Sequence, residues 1–320
     1  MPIDYVTDLT RNANGGTEQM ARALESRLNP ALLDRFQIIA SRVRDLDPTR
    51  VRIFWAHDLP GDRASEHLKQ DGYQQYERLV FVSNWQMQAY ISHYGIPWSK
   101  CRVLQNAIVP LESRAKPPAR INFIYHTTPH RGLHLLVAVF KKLAEKHRNI
   151  HLDVYSSFKI YGWEQRDEPF KPLFKDISDD PNMTYHGAVP NAEVRAALQN
   201  AHVFAYPSTW PETSCIALIE AMSAGLLCIH PNYAALPETA ANWTWMYQYS
   251  ENQQEHANQF YSLLDAAIQA YRGDNGSLKN RLQGQSNYIR TFYNWELRYK
   301  QWESFLNTIL EMKKHPVGAK

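Results

Sequence analysis

Pro207-Ser-Thr-Trp-Pro-Glu-Thr-Ser-Cys-Ile-Ala-Leu-Ile-Glu-Ala-Met-Ser-Ala-Gly225 is the stretch on which the reading of this chain turns. An apolar run, Val203 to Tyr206, enters it as a strand. A Pro-rich turn follows, and a helix is expected from near Thr213 to just before Gly225, a residue favoured past a helix end. Inside that helix Glu220 stands among Ile216, Ala217, Leu218, Ile219, Ala221 and Met222. A carboxylate in such company is costly to bury unless something binds it. Glu212 lies at the opening of the same helix, and at about 1.5 Å of rise per residue the two acids are expected roughly 12 Å apart. Between them lie the free amides of Ser214 to Ile216, and helix starts attract phosphates. Two hydroxyl acceptors flanking an anion cradle form the layout that a nucleotide diphosphate sugar requires.

By spacing alone, two Glu residues eight apart are what chance supplies among 32 acidic residues. The surrounding string carries more. A Glu-x7-Glu pair after a Pro-Ser turn and before Ala-Met-x-x-Gly resembles the signature of glycosyltransferase family 4. The resemblance implies that Glu212 holds hydroxyls of the transferred sugar and Glu220 the ribose hydroxyls of the nucleotide. Where that family usually has Glu-Gly-Phe-Gly-Leu, this chain reads Glu212, Thr213, Ser214, Cys215, Ile216, so two glycines are replaced in the segment expected against the diphosphate.

A chain of 320 residues with 44% hydrophobic content is long enough for two domains with cores of ordinary size. Its 35 basic and 32 acidic residues leave a formal charge of +3, with no long run of one sign beyond the short tail Lys313, Lys314, His315, Lys320. Nucleic acid is neither demanded nor excluded. Cys101, Cys215 and Cys228 are scattered without a Cys-x-x-Cys pair, which indicates neither a disulfide framework nor a thiolate zinc site and suits a reducing cytosol. No apolar stretch reaches the roughly 18 residues of a membrane span, and Met1 to Arg11 lacks an apolar signal core. A cytoplasmic protein, at most peripheral to a membrane, is expected.

Short β-type runs alternate with helical ones, which argues for two α/β domains with parallel sheets. Expected strands in the first half are Ile3 to Thr7, Phe36 to Ala40, Val51 to Ala56 and Leu79 to Ser83, with helices over Glu18 to Leu28 and Trp85 to Tyr94. The second half offers Ile121 to Tyr125, His151 to Tyr155, Met183 to His186, Val203 to Tyr206 and Leu227 to His230, and a helix near Gly132 to His147 with Leu135, Leu136, Val139, Phe140 and Leu143 at helical spacing. Glu112 to Arg120, with Lys116-Pro117-Pro118, reads as an exposed, stiffened linker. The family resemblance implies the GT-B architecture, two Rossmann-like domains facing across a cleft. Residues 1–111 with the last helix, 295–320, form the expected acceptor-side domain, and 112–294 the donor-binding domain. Phe292, Trp295, Trp302, Phe305 and Leu306 are the expected buried face of that last segment; the alternative is a helix that only covers the second domain. Phe158 to Pro181, rich in aromatic residues, is either a lid or partner surface or a self-packed surface loop.

Other segments fit the same resemblance. Asn14-Gly15-Gly16-Thr17 follows the first strand and lacks both dinucleotide and P-loop spacing. An ordinary strand-to-helix turn would explain it, and the resemblance places Gly15 and Gly16 at the donor phosphates. Tyr125-His126-Thr127-Thr128-Pro129-His130-Arg131-Gly132 resembles the family's Gly-Arg-x-x-Pro-x-Lys-Gly, whose two cations neutralise the diphosphate leaving group. Arg131 takes the Lys position, and His126, mostly neutral near pH 7, replaces the Arg. His57-Asp58 ends a strand, where α/β sheets place ligands, and the resemblance puts His57 against the sugar. Ser83-Asn84-Trp85 and Gln105-Asn106-Ala107-Ile108 match expected site walls. Gly187 and Val189, in His186-Gly187-Ala188-Val189-Pro190, sit where the family holds the nucleobase through backbone groups.

Together these imply a retaining glycosyltransferase that moves a sugar from a nucleotide diphosphate sugar, UDP- or GDP-linked, to an acceptor hydroxyl. His57, Glu212 and Arg131 are the expected catalytic residues. Gly15, Gly16, His126, Arg131, Gly187, Val189, Thr213, Ser214, Cys215, Ile216 and Glu220 are expected to bind the donor. No cofactor and no metal ligand are assigned. The acceptor stays open among a saccharide, a lipid-linked sugar, a protein and a modified DNA base. Two other readings stay open: a catalytically weak GT-B module that binds a nucleotide sugar, and a nucleotide-sugar epimerase.

Overall fold

The computed structural model describes residues 3–4, 15–41, 45–273 and 276–315. Asn14, Lys320 and most of the first expected strand lie outside them. The chain divides into two compact units, 1–107 with 293–320, and 108–292. In chain order the first unit begins with β1 (Ile3–Asp4), α1 (Gly16–Glu25), α2 (Pro30–Leu33), β2 (Phe36–Ala40), β3 (Val51–Trp55), β4 (Arg78–Phe81), α3 (Asn84–Tyr94) and β5 (Cys101–Val103). The second unit holds β6 (Ile121–Tyr125), α4 (Leu133–Lys146), β7 (Ile150–Val154), α5 (Lys171–Ser178), β8 (Met183–Tyr185), α6 (Asn191–Asn200), β9 (Val203–Ala205), α7 (Ile216–Ser223), β10 (Leu227–Pro231), α8 (Leu236–Ala240), β11 (Trp245–Tyr247), α9 (Gln253–Arg272) and α10 (Gly276–Phe292). Helix α11 (Trp295–Lys314) belongs to the first unit.

Each sheet is wholly parallel, and the strands read as apolar runs because helices bury both faces. In the first unit the strands run in sequence order, β1-β2-β3-β4-β5. Phe54, Leu79, Phe81, Tyr76 and Tyr90 fill its core. Trp302 of α11 meets Trp55 of β3 edge to face with ring centroids 4.9 Å apart. Ser83 accepts from the amide of Gln86 at 3.0 Å, so the Ser-Asn-Trp segment caps α3. Of the expected buried face, Trp295, Trp302 and Leu306 are buried, whereas Phe292 ends α10 in the second unit and is 50% exposed.

The second unit orders its strands β11-β10-β9-β6-β7-β8, so the chain winds outward from β6 in both directions and reverses between β6 and β9. On α4, Leu135, Leu136, Val139, Phe140 and Leu143 are all buried, as helical spacing of apolar residues requires. Phe140 packs edge to face on Phe123 at 5.4 Å, and its replacement by Ala would cost about 3–5 kcal/mol.

Two expectations are corrected here. Residues 112–120 are not an exposed linker: Lys116 Nζ donates to the carbonyls of Leu198 (3.3 Å), Gln199 (3.1 Å) and Ala224 (3.0 Å), satisfying acceptors at the ends of α6 and α7. Burial lowers the Lys116 pKa to about 8. Residues 158–181 form short helical turns and α5, packed on themselves. Asp167 accepts from the amide of Phe158 at 2.8 Å and from Ser157 Oγ at 2.5 Å, and Phe174 stacks on Tyr185 at 4.4 Å.

Candidate active site

In an open parallel sheet the connections leaving two adjacent strands in opposite directions splay apart and open a crevice at the strands' carboxyl ends. In the second unit that place is between β6 and β9. The loop after β6 carries His126 to Gly132, and the loop after β9 carries Pro207 to Cys215. They touch: Gly132 has φ +101°, and a Cβ there would fall 2.0 Å from the Pro207 carbonyl oxygen.

The contact brings Arg131 to Glu212. Arg131 Nη1 donates to Glu212 Oε1 at 2.5 Å, and the Tyr206 hydroxyl donates to the same oxygen. Only 6% of the Glu212 side chain and 22% of that of Arg131 are exposed. Burial opposes the Arg131 charge, but Glu212 outweighs it and holds the guanidinium well above its ordinary pKa. Around the pair, His126 Nε2, Thr128 Oγ1, His130 Nδ1 and Arg131 Nε are buried without a hydrogen-bond partner. Buried polar atoms are nearly always satisfied, so four such orphans within six residues of one loop mark a place that binds something polar. His130 stacks on Phe158 at 5.2 Å and meets Trp210 edge-on at 4.9 Å. Burial lowers the pKa of both His126 and His130 to about 4, so both are neutral at pH 7.

Glu212 precedes α7 rather than opening it. The helix begins at Ile216 and not near Thr213, because Cys215 adopts φ +67°, ψ +79°. The turn before it is tied to α8 by Ala235 N to Glu212 O at 3.1 Å and Thr239 Oγ1 to Ser214 O at 2.6 Å. The amides without intrahelical acceptors are therefore those of Ile216 to Leu218 instead of Ser214 to Ile216. Cys215 occupies the second of the two replaced glycine positions, a backbone conformation that a side chain strains. Burial first, then Glu212, pushes its thiol well above the usual pKa, so it is not a thiolate.

Glu220 is buried on α7, and its Oε1 accepts from Arg195 Nη1 at 2.5 Å. Arg195 Nη2 donates to the Val109 carbonyl at 2.7 Å. Burial raises the Glu220 pKa, and Arg195 partly offsets the rise. Both acids of the Glu-x7-Glu pair are thus held by an arginine of their own scaffold through one oxygen. Among the described residues the second oxygen of each accepts no hydrogen bond. Sequence reasoning missed Arg195 and Tyr206: neither has a motif position, and their only signal is that a buried carboxylate requires a donor.

The profile of the family described as Glycosyl transferases group 1 matches residues 111–272, half of the chain and all within this unit. The chain belongs to that family. This group 1 glycosyl transferase is 24% identical over 200 residues to a phosphatidylinositol N-acetylglucosaminyltransferase protein of Arabidopsis thaliana, across 58% of this chain and 42% of that protein. A glycosyltransferase from Rickettsia africae ESF-5 superposes with a TM-score of 0.67 at 13% identity, covering 96% of this chain and 84% of that one. HepE of Anabaena, solved in complex with UDP-glucose, does so with a TM-score of 0.62 at 13% identity, over 92% and 84%. These similarities carry the fold, which is the expected α/β class of GT-B type. The chain spans about half the length of the curated relatives it matches.

The remaining expected site residues of this group 1 member lie elsewhere. Gly187, with φ +67°, and Val189 follow β8, two strands from β6 and so roughly 10 Å along the sheet edge. There Tyr155 and His186 stack nearly parallel at 4.2 Å, and His186 Nε2 is 2.8 Å from Asp153. His57, Gly15 and Gly16 belong to the first unit. Gly15 caps α1 with φ −66°, so it does not use the left-handed freedom expected of it. His57 follows β3 with its ring 4.6 Å from Trp55, and burial lowers its pKa to about 3. The sequence does contain one Asp-x-Asp triplet, Asp45-Leu46-Asp47. Its Asp47 is committed to a turn, accepting from Thr49 N at 2.8 Å and pairing with Arg50 at 3.3 Å. No helix among the described residues is long and apolar enough to cross a membrane.

Proposed function

We propose that the protein transfers a sugar from a nucleotide diphosphate sugar, UDP- or GDP-linked, to an acceptor hydroxyl, with retention at the anomeric carbon and without a divalent ion. The observation that carries this reading is the Arg131–Glu212 pair buried at the switch point amid polar atoms without partners. Arg131 spends one N–H on Glu212 and keeps other donors, including Nε, for a phosphate. With the amides at the start of α7 it would neutralise the diphosphate as negative charge grows there. The second oxygen of Glu212 would take sugar hydroxyls and that of Glu220 the ribose. His57, neutral, would bond the sugar without adding charge. The bond from the anomeric carbon to the diphosphate oxygen breaks, the acceptor oxygen bonds on the same face, and the acceptor proton passes to the departing diphosphate. In this reading the first unit, with Gly15 and Gly16, serves the acceptor side and the second binds the donor, in the cytoplasm.

Calorimetry with UDP and with GDP tests the reading. Glu220→Ala should weaken nucleotide binding tenfold or more, since a hydrogen bond to a charged group contributes roughly 1.5–3 kcal/mol. Unchanged affinity would remove the assignment. A second reading, a module that binds the donor and transfers nothing, is favoured by neutral His126 where the clamp calls for a cation. Slow hydrolysis of bound donor by the purified protein would exclude it.

A further inference from the structure

We propose that Arg195 is a positioning residue for nucleotide recognition: its guanidinium fork ties one oxygen of Glu220 to the backbone at Val109 and thereby aims the other oxygen at the ribose. This rests on the assignment of Glu220 to the ribose. Arg195 Nη1 and Nη2 reach Glu220 Oε1 at 2.5 Å and the Val109 carbonyl at 2.7 Å. A planar fork that bridges two fixed acceptors sets direction as well as charge, which a point cation cannot do.

Both anchors are firm. Glu220 sits inside α7 with its helix neighbours buried. The chain just after Val109 is pinned by Leu111 N to Ser223 Oγ at 2.7 Å and by Arg290 Nη2 to the Leu111 carbonyl at 3.1 Å. A buried ion pair contributes little net stability compared with apolar residues of similar volume, so the fold alone has little use for this one. What the pair does supply is a carboxylate that stays ionised in a buried place, with one oxygen already occupied. Burial drives the Glu220 pKa up, and Arg195 acts against that rise.

The test compares UDP with 2′-deoxy-UDP by calorimetry on the full chain, in the wild type, Glu220→Gln, Arg195→Gln and Arg195→Lys, with near-ultraviolet circular dichroism to verify folding. The wild type should prefer UDP by tenfold or more, as expected for one hydrogen bond to a charged group. Glu220→Gln and Arg195→Gln should each bring the ratio near one, and Arg195→Lys should leave it in between. A loosened fold would weaken both nucleotides together and leave their ratio alone. A wild-type ratio in Arg195→Gln, with the ratio lost in Glu220→Gln, overturns the positioning role and leaves the ribose assignment standing. A wild type without preference, or a Glu220→Gln variant that keeps it, overturns the ribose assignment itself and the positioning role with it. Should Arg195→Gln fail to fold, Arg195→Lys decides: a ratio equal to that of the wild type overturns the role, and a reduced ratio supports it.

Discussion

Gly132 lies so close to Pro207 that any side chain at this position would enter the Pro207 carbonyl, with a Cβ only 2.0 Å from its oxygen. The contact joins the two loops that leave the switch point, and it is what lets Arg131 reach Glu212. Gly132→Ala adds this overlap to a φ of +101° that alanine resists, a loss of roughly 3 kcal/mol or more. In a thermal melt the variant should unfold on the order of 10 °C lower, and UDP binding should fall with it.

Arg131→Met should leave the Glu212 carboxylate buried with only Tyr206 as donor. A loss of about 3 kcal/mol is expected in urea denaturation. Adding Glu212→Gln should recover part of it, because the double variant no longer buries an unpaired charge. A double-mutant cycle with no coupling between the two positions would show that the pair does not act as a unit.

Cys215 holds a left-handed backbone at φ +67°. Cys215→Gly relieves that strain while loosening the unfolded chain, so stability should change by less than about 1 kcal/mol. Cys215→Val, β-branched, should lose roughly 2 kcal/mol. Equal stability of the two variants in chemical denaturation would contradict the strain.

His230 is fully buried, with Nδ1 2.9 Å from the Pro231 carbonyl and Nε2 2.9 Å from Thr244 Oγ1, an arrangement that suits the neutral ring. Burial lowers its pKa from 6.5 to about 4. Between these values the unfolded chain binds the proton and the folded chain does not, so stability is lost as pH falls from 6.5 toward 4. The expected slope from this residue is about 1.4 kcal/mol per pH unit. His230→Gln should flatten the measured curve by that amount, with His126 and His202, likewise lowered to about 4, supplying the remainder.

Sugar transfer should persist in EDTA, because Arg131 and the start of α7 are assigned the charge that a divalent ion would otherwise carry. Activity abolished by chelation and restored by Mn²⁺ would refute the metal-independent part of the proposal.

Much of the fold was legible because its signals are local. Phe36–Ala40 and Ile121–Tyr125 begin and end where their apolar runs do, and α4 follows its helical spacing. The three-residue strands β5 and β11 escaped notice because so short a run carries no period. Lys116 looked like part of a free linker because its neighbours are Pro-rich; its carbonyl partners exist only once α6 and α7 have ended side by side.

By itself the sequence determined the alternation of strands and helices, the two acids eight residues apart, and a family signature around them, since each is a pattern of neighbours along the chain. Only the tertiary structure decided which cation meets which acid: Arg131 comes to Glu212 from 81 residues away and Arg195 to Glu220 from 25. Ion pairing depends on distance through space, and the winding of the second sheet about β6 and β9 sets that distance for Arg131 and Glu212.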